Sequence, residues 1–506
     1  MSALTSNPVS FQTDGVQTET SDVQLNTEAF LSTLIDLHKS TLGFDGSPPP
    51  LAKQNHVQFL ARNLFGLPAA YVSLDASRPW MVYWILHSFD ILGIALDEVT
   101  RERGVNTILA CQHPSGGFGG NISQAPHLLP TYASVCSLAI LGKGWDQIDR
   151  QAIYNFFMRM KRPNGGFTVC DGGEVDVRGV YCLLVTATLL DLLTPELVHN
   201  TGQFIASCQT FEGGFSASPS SISSCFTSKF LPPGLGSVQD SIFSTPLGEA
   251  HGGYTSCALL SLHLLRSVQP NLDLGVDLDA LLRWSVMMQA SAADGGGFKG
   301  RSNKLVDGCY GWWVGGSFAV LEQELAVGAG RDLSSLDQIE LFDRRALQEY
   351  ILLLAQHSKG GLADKPPKKA DFYHTANNLS GLSAAQHKLV LSPSRMEDLE
   401  RSWRPSVQSS TSRPSSSSTE TPVTTTTTTT TTTIGKDKEA EREEAEERRK
   451  RVFVRTLGWK ESDSGFFALG GDQNRVNTTH PSINILLLRV EPFMRHFYNQ
   501  PLDVSV

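Results

Sequence analysis

No stretch of this 506-residue chain approaches ~18 consecutive apolar residues, so no membrane-spanning helix is expected. No two cysteines stand in a CxxC pair. The eight are scattered from Cys111 to Cys309, which argues against a redox motif or a zinc knuckle and for reduced, mostly buried thiols. The first 28 residues are polar and lack the apolar h-region of a secretory leader, so a cytoplasmic chain is expected. Basic residues are outnumbered, 42 Lys and Arg against 51 Asp and Glu, and the net charge of -9 speaks against bulk nucleic-acid binding. Period-two alternation is also scarce, which leaves little room for sheet.

What is present instead is a recurring turn. Gly116-Gly117-Phe118 returns as Gly165-Gly166-Phe167, Gly213-Gly214-Phe215 and Gly296-Gly297-Phe298, and weakly as Gly360-Gly361-Leu362. The final positions are 49, 48, 83 and 64 residues apart. Helical patterns precede the turns at 152–160, 197–208 and 281–289, and others lie between them at 131–141, 180–193, 254–265 and 317–326. The unit is helix, Gly-Gly-Phe turn, helix: the glycines permit φ > 0 and end the first helix, and the Phe plugs back between helices. A period near 50 means stacked supersecondary units that form an open solenoid or close into a ring. The fold class is therefore all-α.

Residues 1–28 read as a disordered tail and 29–391 as the repeat domain, with a Ser-rich loop inserted at 216–247. Residues 392–447 are low in complexity, with an unbroken threonine run at 424–433 and then a charged run. Such a segment is expected to stay disordered. Residues 448–506 form a C-terminal segment whose helical pattern at 483–498 is expected to dock on the repeat domain.

The chemistry concentrates in a few places. Asp307 and Cys309, answered far downstream by His374, make a plausible three-ligand zinc set that leaves the fourth tetrahedral position open. Taken alone, D-x-C plus a distant His is a weak pattern. Around it, Arg301 and Lys304 supply an anion-holding surface, and a helix start beside Cys309 favours a thiolate. Glu249-Ala250-His251-Gly252-Gly253-Tyr254 opens a helix that could seat a diphosphate or be capped by solvent. Arg178 could hold an anion bidentately or pair with Asp176 or Glu174. Trp80 and Trp84 share a helix face, as core residues or as the aromatic wall of an isoprenoid or peptide pocket. A metal that activates a thiol, beside a pocket for a phosphorylated leaving group, is equipment for alkylating sulfur.

These segments resemble the β subunits of the protein farnesyltransferase family. The resemblance is carried by Asp75-Ala76-Ser77-Arg78-Pro79-Trp80, Pro126-His127-Leu128, Gly172-Gly173-Glu174-Val175-Asp176-Val177-Arg178 and Glu249-Ala250-His251-Gly252-Gly253-Tyr254. It continues through Asn303-Lys304-Leu305-Val306-Asp307-Gly308-Cys309-Tyr310, Asp371-Phe372-Tyr373-His374-Thr375 and Leu379-Ser380-Gly381-Leu382. It covers roughly residues 50–390 and the end near His480-Pro481. It implies an α/α barrel, or toroid, and an obligate helical-repeat α subunit. It implies one zinc ion (Zn2+) per β subunit, held by Asp307, Cys309 and His374. The diphosphate of farnesyl diphosphate would meet His251, Arg301, Lys304 and Tyr310, with a lysine supplied by the partner. Arg178, Tyr181, Tyr254, Cys257 and Trp313 would line the isoprenoid groove, and Trp80, Trp84, His127 and Tyr373 would touch the acceptor peptide. Asp364 matches the carboxylate associated with magnesium (Mg2+) assistance. The acceptors would be proteins ending in C-a-a-X, such as small GTPases.

Farnesyl rather than geranylgeranyl rests on Trp80, since related type I geranylgeranyltransferase β subunits carry a smaller residue there. That enzyme and a non-enzymatic helical-repeat binding module are the competing readings. A terpenoid cyclase would need a DxDD cluster, which the chain lacks. The loop 216–247 and the insert 392–447 exceed the family pattern, Ala376-Asn377-Asn378 is more polar than usual, and Trp312 replaces a usual Phe.

Overall fold

Two glycines before an apolar residue let the chain leave a helix with φ > 0 and drop the next side chain into the crevice behind it. Gly116 and Gly117 sit at φ 96° and 76°, and Phe118 after them is fully buried. A Cβ on Gly116 would stand 1.8 Å from the Ala152 carbonyl oxygen, so no other residue fits. An antiparallel bridge between Gln112 and Phe118 closes the turn. The bridge recurs between Lys161 and Phe167, Gln209 and Phe215, Gln289 and Phe298, and Gln356 and Leu362. Three turns are also locked to the next helix: Phe118, Phe215 and Leu362 donate their amides to the hydroxyls of Thr131, Thr255 and Thr375, each at 2.9 Å.

Repeated around the chain, this unit builds an α/α toroid. The computed structural model describes residues 15–41, 46–219, 248–270, 272, 275–328, 340–404, 431–500 and 502. The inner ring runs Arg78–Ile91, Leu128–Leu141, Val177–Leu189, Gly252–Val268, Tyr310–Trp313 and Phe372–Gln386; each packs on the next and the last on the first. Outer helices such as Lys53–Leu64, Glu98–Leu109, Arg150–Met160 and Leu278–Met287 surround it. Burial separates the layers. Every residue of Leu128–Leu141 except Leu129 is buried, whereas Arg150–Met160 buries the stripe Ile153, Tyr154, Phe156, Phe157 and Met160.

Inner helices that follow the same turn begin at the same rim. Their N-caps are His127, Asp176, His251 and Asp371, whose side chains accept amides of their own first turns, and Cys309 caps the short helix Tyr310–Trp313. The chemistry-bearing residues thus ring one mouth of the barrel, at the positive ends of the helix dipoles. The opposite end is closed by the chain at 474–486, and the helix Leu487–Tyr498 packs against Leu128–Leu141 and Val177–Leu189.

The structure departs from the expected segment boundaries. Within the supposed tail, a helix begins at Glu19, held by a capping box between Thr18 and Ser21 and by buried Leu31 and Ile35; residues 1–14 lie outside the described residues. The expected disordered insert contains the helix Pro393–Ser402 and the start of Thr431–Leu457, which runs past the expected boundary at 447, with 405–430 outside the described residues. Two features stabilise the second helix. Val452, Phe453, Val454 and Leu457 are buried, and the Ala/Glu/Arg-rich stretch before them has high helix propensity, so helix propagates outward from a docked end. Most of the loop at 216–247 lies outside the described residues. The all-α expectation needs one amendment: His387–Leu391 pairs antiparallel with Trp459–Phe466, joining the two ends of the insert.

Arg449 fastens the second insert helix. Its Nε meets the Asp191 carboxylate at 2.8 and 3.1 Å, and its Nη2 meets the Tyr498 carbonyl at 2.6 Å. Burial pushes the Asp191 carboxyl up to about 7 even with Arg449 beside it. Arg449→Ala would strand that carboxyl, and a loss of about 3 kcal/mol is expected in chemical denaturation. An unchanged midpoint would mean that the apolar face alone holds the helix.

Candidate active site

The fourth full turn places the first half of the site. Asp307 donates its amide to the Phe298 carbonyl at 3.1 Å, just after the bridge between Lys299 and Val306. Gly308 donates to the Asp364 carbonyl at 2.8 Å, and the Cys309 amide donates to Asp307 Oδ1 at 2.9 Å. A Cβ on Gly308 would stand 2.4 Å from Asn378 Oδ1, so a larger residue between the two candidate ligands would have to displace the Asn378 side chain. His374 arrives from the first turn of Phe372–Gln386. Its amide donates to Asp371 Oδ1 at 2.8 Å, and its Nδ1 bonds Asp371 Oδ2 at 2.7 Å. That ring bond directs Nε2 toward Asp307 Oδ1, 3.4 Å away.

One sulfur, one nitrogen and one carboxylate oxygen from these residues lie within 4.8 Å of one another. This donor set fits a transition metal such as zinc, and Asp371 is the outer partner that fixes the ring of a metal-binding histidine. The local field also favours a cation. Burial opposes charge on His374, yet its bonds to Asp307 and Asp371 outweigh that and raise its pKa to about 10. Burial pushes the Cys309 thiol well above its ordinary range, Asp307 adds to this, and a bond to Tyr373 opposes it.

Beside the cluster, the bore of the barrel encloses a cavity of about 450 Å³. Of the residues expected from sequence, Trp80, Trp84, Arg178, Tyr181, His251, Tyr254, Cys257, Tyr310, Trp313 and Tyr373 line it. Tyr310 directly follows Cys309, and Tyr373 bonds both Cys309 and the Trp313 indole, the latter at 2.9 Å, so cluster and cavity share a wall. His127, Arg301 and Lys304 stand outside the lining.

Several polar residues of the rim are already partnered. Tyr310 Oη and His251 Nε2 are 3.1 Å apart, and His251 Nδ1 accepts the Gly253 amide at 3.0 Å. Burial, then Arg301, lowers the His251 pKa; burial raises that of Tyr310, which keeps its hydroxyl proton. Arg301 pairs with Glu249 at 2.5 Å, both side chains well exposed. Arg178 takes the ion-pair option, with Asp176 at 2.5 Å and Glu174 at 3.3 Å, while its guanidinium sits 5.9 Å from the centre of the Tyr254 ring. The Asp364 carboxylate is held by Lys365.

Sequence reading missed several lining residues: Ser77, Tyr83, Leu129, Tyr132, Cys182, Asn377 and Asn484. Tyr83 could have been found three residues after Trp80 on the same face. Asn484 gave no local signal, because it reaches the cavity only through long-range packing. Asp371 stands in a sequence motif, but its role in orienting His374 emerges only from the fold. Asn caps a helix as well as Asp does, so Asp371→Asn isolates the carboxylate's effect on the ring. Metal affinity at this cluster is expected to fall about 10–100-fold in a chelator competition, and unchanged affinity would reduce Asp371 to a helix cap.

The model of the prenyltransferase alpha-alpha toroid domain matches residues 51–485. The subunit beta of protein farnesyltransferase from Pyricularia oryzae is 38% identical over 364 residues, 68% of this chain and 65% of that protein. The match thus spans slightly less than two thirds of that relative's length. The corresponding subunit from Schizosaccharomyces pombe is 37% identical over 334 residues, 65% of this chain and 77% of that protein. The geranylgeranyl transferase type-1 subunit beta of Arabidopsis thaliana is more distant, at 26% identity over 66% of this chain and 85% of its own length. Among solved structures, Candida albicans protein geranylgeranyltransferase-I complexed with GGPP shares the fold, with a TM-score of 0.50 and 23% identity over 66% of this chain and 91% of that one. Among the described residues, no helix is long and apolar enough to cross a membrane. Closed into a ring of helix pairs and matched by the toroid model over residues 51–485, this chain belongs to the prenyltransferase alpha-alpha toroid family, among the β subunits of protein farnesyltransferase.

Proposed function

We propose that this chain is the catalytic β subunit of a farnesyltransferase, moving farnesyl from farnesyl diphosphate to the cysteine of a C-terminal C-a-a-X motif. One observation carries the reading: the Asp307, Cys309 and His374 donors share a wall with an aromatic cavity that could hold an isoprenoid. Zinc held by these three atoms would lower the pKa of the acceptor's thiol and make a thiolate available at neutral pH. The sulfur–C1 bond forms as the C1–oxygen bond breaks, and negative charge gathers on the departing diphosphate. Tyr310 and His251, 3.1 Å apart, would meet that charge, with the Tyr310 hydroxyl as donor. Arg301 and Lys304 would add positive charge from the rim, Arg301 by leaving its exposed pairing with Glu249. Tyr181, Tyr254, Cys257 and Trp313 would hold the chain of the lipid, with Arg178 at its head. Trp80, Trp84 and Tyr373, whose rings follow one another at 5.6 and 5.4 Å, offer an acceptor-peptide surface, with His127 beside the rim.

Magnesium assistance would fall to Asp364, in competition with the Lys365 ammonium. The α subunit would complete the site with its lysine, and the heterodimer would act in the cytoplasm on acceptors such as small GTPases. The test is co-expression with a candidate α subunit, followed by transfer of farnesyl and geranylgeranyl to a C-a-a-X peptide. Cys309→Ala is expected to lose about one equivalent of zinc and reduce farnesyl transfer to background. A folded, zinc-free heterodimer with full activity would reject the assigned role of the cluster.

Trp80 packs against Tyr83 and Tyr132, with ring centres at 5.8 and 5.6 Å. Trp80→Thr should therefore lengthen the pocket and raise the geranylgeranyl-to-farnesyl ratio of kcat/KM by about tenfold or more. A wild type that already prefers geranylgeranyl would place the chain with the type I enzymes.

A further inference from the structure

The blind end of the cavity has an unusual construction. Three neighbouring inner helices each contribute a tyrosine, and the three hydroxyls donate to three consecutive carbonyls of the C-terminal segment. Tyr83 reaches the Asn484 oxygen at 2.6 Å, Tyr132 reaches Ile483 at 2.8 Å and Tyr181 reaches Ser482 at 3.1 Å. All three rings and Asn484 line the cavity, and the rings are nearly inaccessible to solvent. A buried hydroxyl needs a partner, so the height of these rings is tied to the height of the loop at 482–484.

The loop is itself fixed from below. Asn484 adopts φ 60°, its amide donates to the His480 carbonyl at 3.2 Å, and its Oδ1 lies 3.1 Å from His87 Nε2. His480 bonds the Thr456 carbonyl at 2.8 Å, on the helix that follows the low-complexity run. A wall residue can change only its own volume. Moving this loop would shift three rings on three helices together, and Trp80 rests on two of them.

We infer that the loop at 482–484 is a length-specificity element of the isoprenoid pocket, with Asn484 the residue that ends it. This rests on the isoprenoid-transfer reading and adds a determinant to Trp80: the acceptable lipid length is set jointly by the indole and by a loop about 400 residues further along the chain. Asn484→Gly keeps the left-handed backbone while removing the amide from the floor. Tyr83→Phe keeps the ring and releases the Asn484 carbonyl.

The experiment uses the full heterodimer with its α subunit. It measures kcat/KM for farnesyl and geranylgeranyl diphosphate on one C-a-a-X peptide, and competition binding of both diphosphates. Asn484→Gly is expected to raise the C20-to-C15 ratio about tenfold or more in both assays, and Tyr83→Phe to raise it less. Combined with Trp80→Thr, Asn484→Gly should give less than the product of the single effects, because both act on one floor. Ratios within about twofold of wild type in folded heterodimers would overturn the proposal. Should Asn484→Gly fail to assemble, Tyr83→Phe and Tyr132→Phe decide by the same criterion. A wild type that binds both diphosphates but transfers neither would reject the transferase reading, and the binding ratios would still judge the floor. One that binds neither would overturn both.

Discussion

Everything in this molecule depends on a turn that only glycine can make. At Gly116 the left-handed backbone and the Ala152 carbonyl, 1.8 Å from where a Cβ would stand, exclude every other residue. The turn buries an aromatic plug, passes its amide to a threonine of the next helix, and starts that helix at a defined level. Repetition of the unit brings successive inner-helix N-termini to one rim. A helix N-terminus presents unsatisfied amides and a positive dipole end. The same constraint that closes the ring therefore provides an anion-friendly mouth above an apolar bore.

The residues at that mouth divide their duties between folding and chemistry. Asp371 caps its helix with one oxygen and holds the His374 ring with the other. His251 caps with Nδ1, which leaves Nε2 for Tyr310. Gly308 gives Asp307 and Cys309 room to converge against Asn378. Such double use ties the geometry of the cluster to the stability of the helix starts. Arg301, by contrast, rests on the exposed Glu249 carboxylate and remains available for exchange.

Much of this was legible in the chain. The Gly-Gly-Phe spacing announced helix pairs because it depends on short-range backbone rules, and the motifs around Asp307, Cys309 and His374 named donors that the fold brings within 4.8 Å of one another. The low-complexity segment is helical at its ends, against its composition. Composition described its average solubility, whereas its C-terminal end continues into a helix anchored just beyond 447, where Val452, Phe453 and Leu457 are buried and Arg449 meets Asp191. Arg178 left two options open from sequence, and its pairing with Asp176 was decided by the capping geometry of its own helix.

By itself, the sequence determined the repeat, the turn chemistry and the aromatic character of the pocket, since each is written within a few residues or carried by a recurring motif, and it named the candidate metal ligands through their family resemblance. Ring closure, the depth of the cavity and the meeting of Tyr83, Tyr132 and Tyr181 with the carbonyls at 482–484 were decided only by the tertiary structure. Those contacts join residues some 300 to 400 positions apart. No local preference specifies such a partner; it is selected when buried hydroxyls must be satisfied inside an already closed barrel.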